Sequence, residues 1–212
     1  MKQLLVVALV VFAYAVPSPS SAQVFGQFTP GETLPVNGHV FGAYLHASES
    51  FLGVLTQLRL SFYPDVDFGF QGGLTRIEFG TTDVTTIRIG GDIKYLAARS
   101  RDGAPADLAI GAALGVETGD DISILTLGPS VVASRPVSMG SNAGVTPFAS
   151  VGLLFSNLDV LGEESTDFVL PFRLGAEFRL APELRLMTEL QFRVKDSFND
   201  DVSFVTGVHL PF

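Results

Sequence analysis

The chain has 212 residues, 47% of them apolar, with 22 glycines, 18 phenylalanines and neither cysteine nor tryptophan. The missing cysteine excludes a disulfide framework, and the net charge of −9 argues against nucleic acid as a partner, because phosphate binding needs a basic surface. Mean hydropathy is high at +0.38, yet past the N-terminus no apolar run approaches the roughly 18 residues of a spanning helix. The apolar residues are therefore dispersed.

Residues 1–22 read as a secretory signal. Lys2 supplies the positive start, Leu4 to Val16 the apolar stretch, and Ser20-Ser21-Ala22 the small residues before a cut at Gln23. Residues 23–37 contain Pro30, Gly31 and Pro35, lack alternation, and read as a short periplasmic lead-in. From residue 38 the pattern changes to a period of two. Leu58, Leu60 and Phe62 alternate with Gln57, Arg59 and Ser61. Phe68 and Phe70 share a face, but Ile77 and Phe79 are out of phase with them, which predicts a bulge near Leu74 to Arg76. Ile87, Ile89, Gly91, Ile93 and Tyr95 then alternate with Arg88, Gly90, Asp92 and Lys94. Leu108 to Val116 alternate with small residues and Glu117, and 145–157 is apolar on both faces near its end.

The clearest alternation lies near the C-terminus. Phe168, Leu170, Phe172, Leu174, Phe178 and Leu180 oppose Arg173, Glu177 and Arg179. Leu184, Leu186, Leu190, Phe192 and Val194 oppose Arg185, Glu189, Gln191, Arg193 and Lys195. Val202, Phe204, Thr206, Val208, Leu210 and Phe212 close the chain on one face. Because successive strand residues point to opposite sides, one face is apolar and the other charged. The expected strands are 38–48, 51–63, 66–80, 85–98, 105–118, 122–135, 145–157, 167–181, 184–196 and 201–212. The expected fold is all-β: a closed antiparallel transmembrane β-barrel of ten strands, with eight as the alternative, spanning residues 38–212.

The signal, the alternation and the ending Phe204-Val205-Thr206-Gly207-Val208-His209-Leu210-Pro211-Phe212 together resemble the small bacterial outer-membrane β-barrels, the OmpA-, OmpX- and OmpW-like group. The resemblance implies a bacterial outer-membrane location, contact with outer-membrane lipid and lipopolysaccharide, and a terminal Phe212 that acts as an assembly signal read by the barrel-assembly machinery. It implies no cofactor and no catalytic motif. With Phe212 in the periplasm, the turns at 63–66, 100–106, 137–144 and 181–183 fall on the periplasmic side. Loops with Glu49, Asp83, Asp120, Asp121, Glu163, Glu164, Asp167, Asp200 and Asp201 then form an acidic outer rim, either solvated or binding divalent cations.

The candidate site is the charged inner face: Arg59, Arg88, Asp92, Lys94, Glu117, Arg173, Glu177, Arg179, Arg185, Glu189, Arg193 and Lys195, joined by Arg76 and Glu78 if the bulge exists. Charges away from bulk water must be paired, and a lumen of this size is narrow. The expectation is a structural barrel or narrow, plugged pore, not an enzyme. The alternatives are a soluble periplasmic barrel binding a small apolar ligand, and a hydrolase built around His46 with Ser48 and Glu49. Inward glycines, Gly69, Gly175 and Gly207 among them, read either as strand-bending positions or as room for long side chains opposite; the first is preferred.

Overall fold

The computed structural model describes residues 28–49, 51–79, 82–120, 122–140, 143–160, 163–194 and 202–212. The signal expected at 1–22, and Lys195, lie outside these. The strands are β1 (His39–Ala47), β2 (Phe51–Tyr63), β3 (Val66–Phe79), β4 (Thr82–Ala98), β5 (Asp107–Gly119), β6 (Ile122–Ser134), β7 (Val137–Ser138), β8 (Gly144–Gly152), β9 (Leu154–Val160), β10 (Glu163–Ala181), β11 (Leu184–Val194) and β12 (Val202–Pro211). Each pairs antiparallel with its neighbours, and β1 pairs with β12 from Val40↔Pro211 to Ala47↔Phe204, which closes the sheet.

Twelve segments make ten barrel strands. β7 only extends a turn by pairing with Val145 and Gly144. β8 and β9 are one strand interrupted at Leu153. Both halves keep the same register against β6 and against β10, so no residue is inserted. The gap has a local cause. The β10 register against β8 and β9 skips Pro171, which lies against Gly152 between the pairs Phe172↔Val151 and Val169↔Leu154, and Leu153 donates to the carbonyl of Pro129 on the other side (2.9 Å). Proline has no N–H to return, so the ladder loses bonds on both flanks of one position.

Alternation governs which face each residue takes. Ile89 is 66% exposed, while Lys94, five residues on, is 0% exposed. The outward set includes Leu52, Val54, Phe70, Leu74, Ile110, Leu114, Leu127 and Leu174, and the buried set includes Arg59, Asp67, Arg88, Glu117, Glu177 and Glu189. This is the reverse of a soluble barrel, and it removes the reading of a water-soluble ligand carrier. Leu108 to Val116 hold the outward face over about 27 Å of strand, or roughly 21 Å across a membrane at a tilt of about 40°. At the end where the β1–β2 hairpin lies, called here the far mouth, the outward face turns polar, with the exposed ion pair Arg76–Asp83. The opposite end, where β1 starts and β12 ends, is the near mouth. There Phe212 donates its N–H to His39 O (3.2 Å) and stacks on the His39 ring at 5.5 Å.

Two expectations about β3 and the loops are corrected. The β3–β4 register runs without a break from Val66↔Tyr95 to Phe79↔Thr82, so no bulge shifts the phase. Ile77 is simply a buried apolar residue on the inner face, and Arg76 is exposed on the outer one. The far-mouth connections are also shorter than expected. Asp83 and Asp167 sit within strands, opposite Glu78 and Ser156, and Glu163 pairs with Val160 at the backbone. The expected acidic rim is thus partly strand.

Residues 28–34, part of the stretch 23–37 read as a lead-in, lie inside the barrel. Gly38 donates to Pro35 O, Asn37 takes a left-handed backbone (φ 63), and Asn37 and Gly38 bond to Ser61 on β2. Asparagine tolerates that conformation better than most residues. This turn sends the chain back through the near mouth, and Phe28, Thr29, Pro30 and Gly31 are buried.

Candidate functional site

The lumen is built from four groups of side chains rather than one charged cluster. The first lies toward the near mouth. Arg59 of β2 makes a two-pronged contact with Asp92 of β4, Nη1 to Oδ1 at 3.2 Å and Nη2 to Oδ2 at 3.0 Å. Gln71 of β3 adds a donor to Asp92 at 3.1 Å. Asp67 of β3 sits between Arg59 Nε (3.8 Å) and Lys94 Nζ (3.3 Å). A fork-to-carboxylate pair is among the strongest polar contacts available, and here both partners are removed from water. Gly69 makes room for it: a Cβ there would stand 2.2 Å from Asp92 Oδ1 and 2.8 Å from Arg59 Nη1. The room-making reading of the inward glycines holds at this position. It holds also at Gly207, whose Cβ would meet the Tyr44 ring at 2.4 Å.

The second group crosses the β1–β12 closure. His209 Nδ1 contacts Glu177 Oε2 at 2.5 Å and its Nε2 contacts the Tyr44 hydroxyl at 2.7 Å. A carboxylate only accepts, so Nδ1 carries the proton toward it and Nε2 faces the phenol. Arg185 Nη1 bonds Glu177 Oε1 at 3.1 Å. The third group lies toward the far mouth, where His46 Nε2 and Ser203 Oγ are 3.0 Å apart and Gln191 donates to Glu189 at 2.6 Å. In the fourth, Arg88 and Glu117 are directly opposed across β4 and β5, and Thr86 bonds Glu117. Arg173 reaches Ser150 at 2.7 Å.

Of the residues expected in the lumen, Arg59, Arg88, Asp92, Lys94, Glu117, Arg173, Glu177 and Glu189 are buried there. Arg185 is half-buried beside Glu177. Arg179 is exposed at the near mouth against Gly144, because the strand carries it past the last turn of packed interior. Arg193 pairs at the backbone with Pro171. Asp67, Tyr44, Gln57, Gln71, His209 and Ser203 were not anticipated. Each lies on the inward phase of its strand, and all but Asp67 are uncharged at neutral pH or, in the case of His209, only partly charged. His46 turns inward to Ser203, away from Ser48 and Glu49. The His46 ring meets Phe28 and Phe51 edge-on, and both His46 and Ser203 are buried. Among the described residues no group of three His, Cys, Asp or Glu could hold a metal ion.

The inward strap of residues 28–34 completes the lumen. Phe28 fills an apolar ring of Tyr44, Leu55, Val132, Phe148, Met187 and Val205, with its ring centroid 4.7 Å from that of Tyr44. Lys94 Nζ donates to Thr29 Oγ1 (3.2 Å), Pro30 O (2.9 Å) and Glu32 O (2.5 Å). Ser134 Oγ accepts from Gly31 N, and Asp67 Oδ1 from Leu34 N, both at 2.9 Å. Glu32 remains at the mouth. Crowding by protein, then Asp107 and Glu177, push its carboxyl above the usual range, with Arg185 and Lys94 opposing.

Fold and lumen together define a ten-stranded antiparallel transmembrane β-barrel whose interior is filled by paired charges and an internal strap. No family description and no curated protein matches the chain. Among solved structures it is similar to the β-domain of the Bordetella autotransporter BrkA, at 11% identity and a TM-score of 0.52 over 84% of this chain and 100% of that one. It is also similar to an outer-membrane channel of Pseudomonas putida F1, at 11% identity and a TM-score of 0.48 over 90% of this chain and 100% of that one. The N-terminal β-barrel domain of Pseudomonas aeruginosa OprF aligns at 8% identity and a TM-score of 0.38, over 84% of this chain and 98% of that one. The first of these likenesses establishes a shared fold.

Proposed function

We propose that this chain is a bacterial outer-membrane barrel with a closed lumen, serving as a structural membrane component rather than as an open pore or a catalyst. The carrying observation is the strap: residues 28–31 are buried inside the barrel, Lys94 and Ser134 hold Pro30 and Gly31, and Asp67 holds Leu34 from a third strand. A narrow barrel already crowded by Arg59, Arg88 and Tyr44 leaves little width for an additional chain and a water path together. The lipid-facing belt supports a place in the outer membrane, with lipid and lipopolysaccharide as its surroundings. The turns at Pro64-Asp65 and Pro182-Glu183 suit the periplasmic side, where such barrels carry short connections.

Planar-bilayer recording tests this. The purified full chain should give no steady unitary current at moderate voltage. Sustained ohmic conductance from the unmodified protein would refute the closed lumen.

A further inference from the structure

The strap is held in an unusual way for mere filling. A filler would be packed by its side chains. Here the barrel grips main-chain atoms: Lys94 takes the carbonyls of Pro30 and Glu32, Asp67 takes the N–H of Leu34, and Ser134 takes the N–H of Gly31. Main-chain contacts do not depend on which residues the bound segment carries. Two side-chain requirements are added to them. The ring of Tyr44, Leu55, Val132, Phe148, Met187 and Val205 accepts the one large apolar group, Phe28. Three residues later the space is tight around glycine, since a Cβ at Gly31 would lie 3.0 Å from Asp107 O and Ser134 Oγ and 3.2 Å from Val132 O. Two of those three atoms are backbone and cannot swing away. Generic main-chain grip plus a pocket for alternate side chains is how proteins bind extended peptides.

We propose that the near half of the lumen is a peptide-binding site, occupied in this chain by its own residues 28–34, that accepts in exchange an extended polypeptide segment bearing an aromatic residue followed three positions later by glycine. This rests on the closed-lumen reading and adds the ligand class. The resident segment is covalently joined to β1, so it competes at an effective concentration on the order of millimolar. A peptide in solution therefore reaches the site only when the resident strap is weakened, which makes the exchange conditional.

The test uses the full chain carrying Gly31→Val, a substitution on the strap that leaves every barrel residue in place. A fluorescently labelled synthetic peptide spanning residues 28–35 is added to the detergent-solubilised protein, and its anisotropy is followed. Binding to the Gly31→Val protein should be at least about tenfold tighter than to the unmodified protein, whose site is filled by the tethered copy. A peptide with Phe28→Ala should lose most of that affinity. Equal binding to both proteins, equal binding of both peptides, or no binding to either would overturn the peptide site. The bilayer experiment is separable. If Gly31→Val conducts and the peptide never binds, closure by the strap survives and the exchange proposal falls. If the peptide binds but Gly31→Val stays silent, the site stands and the strap is not what closes the pore. Phe28→Ala in the full chain provides a second weakened strap should Gly31→Val assemble poorly.

Discussion

At the scale of single residues, the Arg59–Asp92 pair shows how a charge survives inside a barrel. Two bonds from the guanidinium, one from Gln71 and the proximity of Asp67 and Lys94 balance two cations against two anions within one pocket. Removing one partner of such a pair leaves the other buried and uncompensated, which typically costs about 3–5 kcal/mol. Arg59→Ala should therefore lower the melting temperature in detergent sharply, while Arg179→Ala, exposed at the mouth, should change it little. Gly69→Val should resemble Arg59→Ala, because its side chain would occupy the space of the Asp92 carboxylate. Equal melting of all three variants and the unmodified protein, by circular dichroism, would show that the pair is not a structural determinant. Arg59, Asp92 and Lys94 were legible in the sequence by their phase alone, and Asp67 was not. Their partners were not: Arg59 and Asp92 are 33 residues apart, and alternation says which face a residue takes, never which residue it meets.

At the scale of elements, the strap and the strands were unequally readable. β5, β10 and β11 announce themselves because nearly every second residue is apolar and on the outward phase. The 28–34 segment has no period, so nothing in its pattern places it inside rather than outside; its position follows from a turn at Asn37 and from partners on β3, β4 and β6. The error at β3 has a related cause. A buried Ile77 looks like a lipid-facing residue displaced by one, and only the unbroken pairing with β4 shows that an apolar residue can face the lumen. The strap also carries a pH dependence. The Glu32 carboxyl is raised in the folded protein by burial and by Asp107 and Glu177. A raised acid adds stability that is full below the ordinary carboxyl value, about 4.3, and is lost as pH rises through the folded value. The Glu32→Gln protein should consequently gain melting temperature relative to the unmodified chain at neutral pH, and the gap should shrink as the solution is acidified toward about pH 4. A gap that is constant across that range would mean that Glu32 feels no such environment.

At the scale of the whole molecule, the inverted polarity dominates. Lys94, Glu117 and Arg88 are inside, and Ile87, Ile89 and Leu114 are outside. Apolar surface removed from water is worth roughly 25 cal/mol per Å², and this protein recovers that term from lipid rather than from its own core. The full chain should therefore sediment with membranes through an alkaline wash and require detergent for extraction. Recovery in a detergent-free soluble fraction would be incompatible with the outward belt.

The β1–β12 junction has a consequence for how the chain becomes a barrel. Tyr44 and His209 are separated by 165 residues, and His46 and Ser203 by 157. None of these bonds can exist until the two ends of the sheet meet, and they then form together. Contacts between such distant residues are the slowest to be made, since the entropy of closing the intervening chain must be given up first. The strap is attached to the first of these two strands, so its turn at Asn37 and Gly38 stands at the near end of the closing seam. The seam is thus a clock as well as a joint: the wall formed by Tyr44, His46, Ser203 and His209 exists only from the moment it shuts.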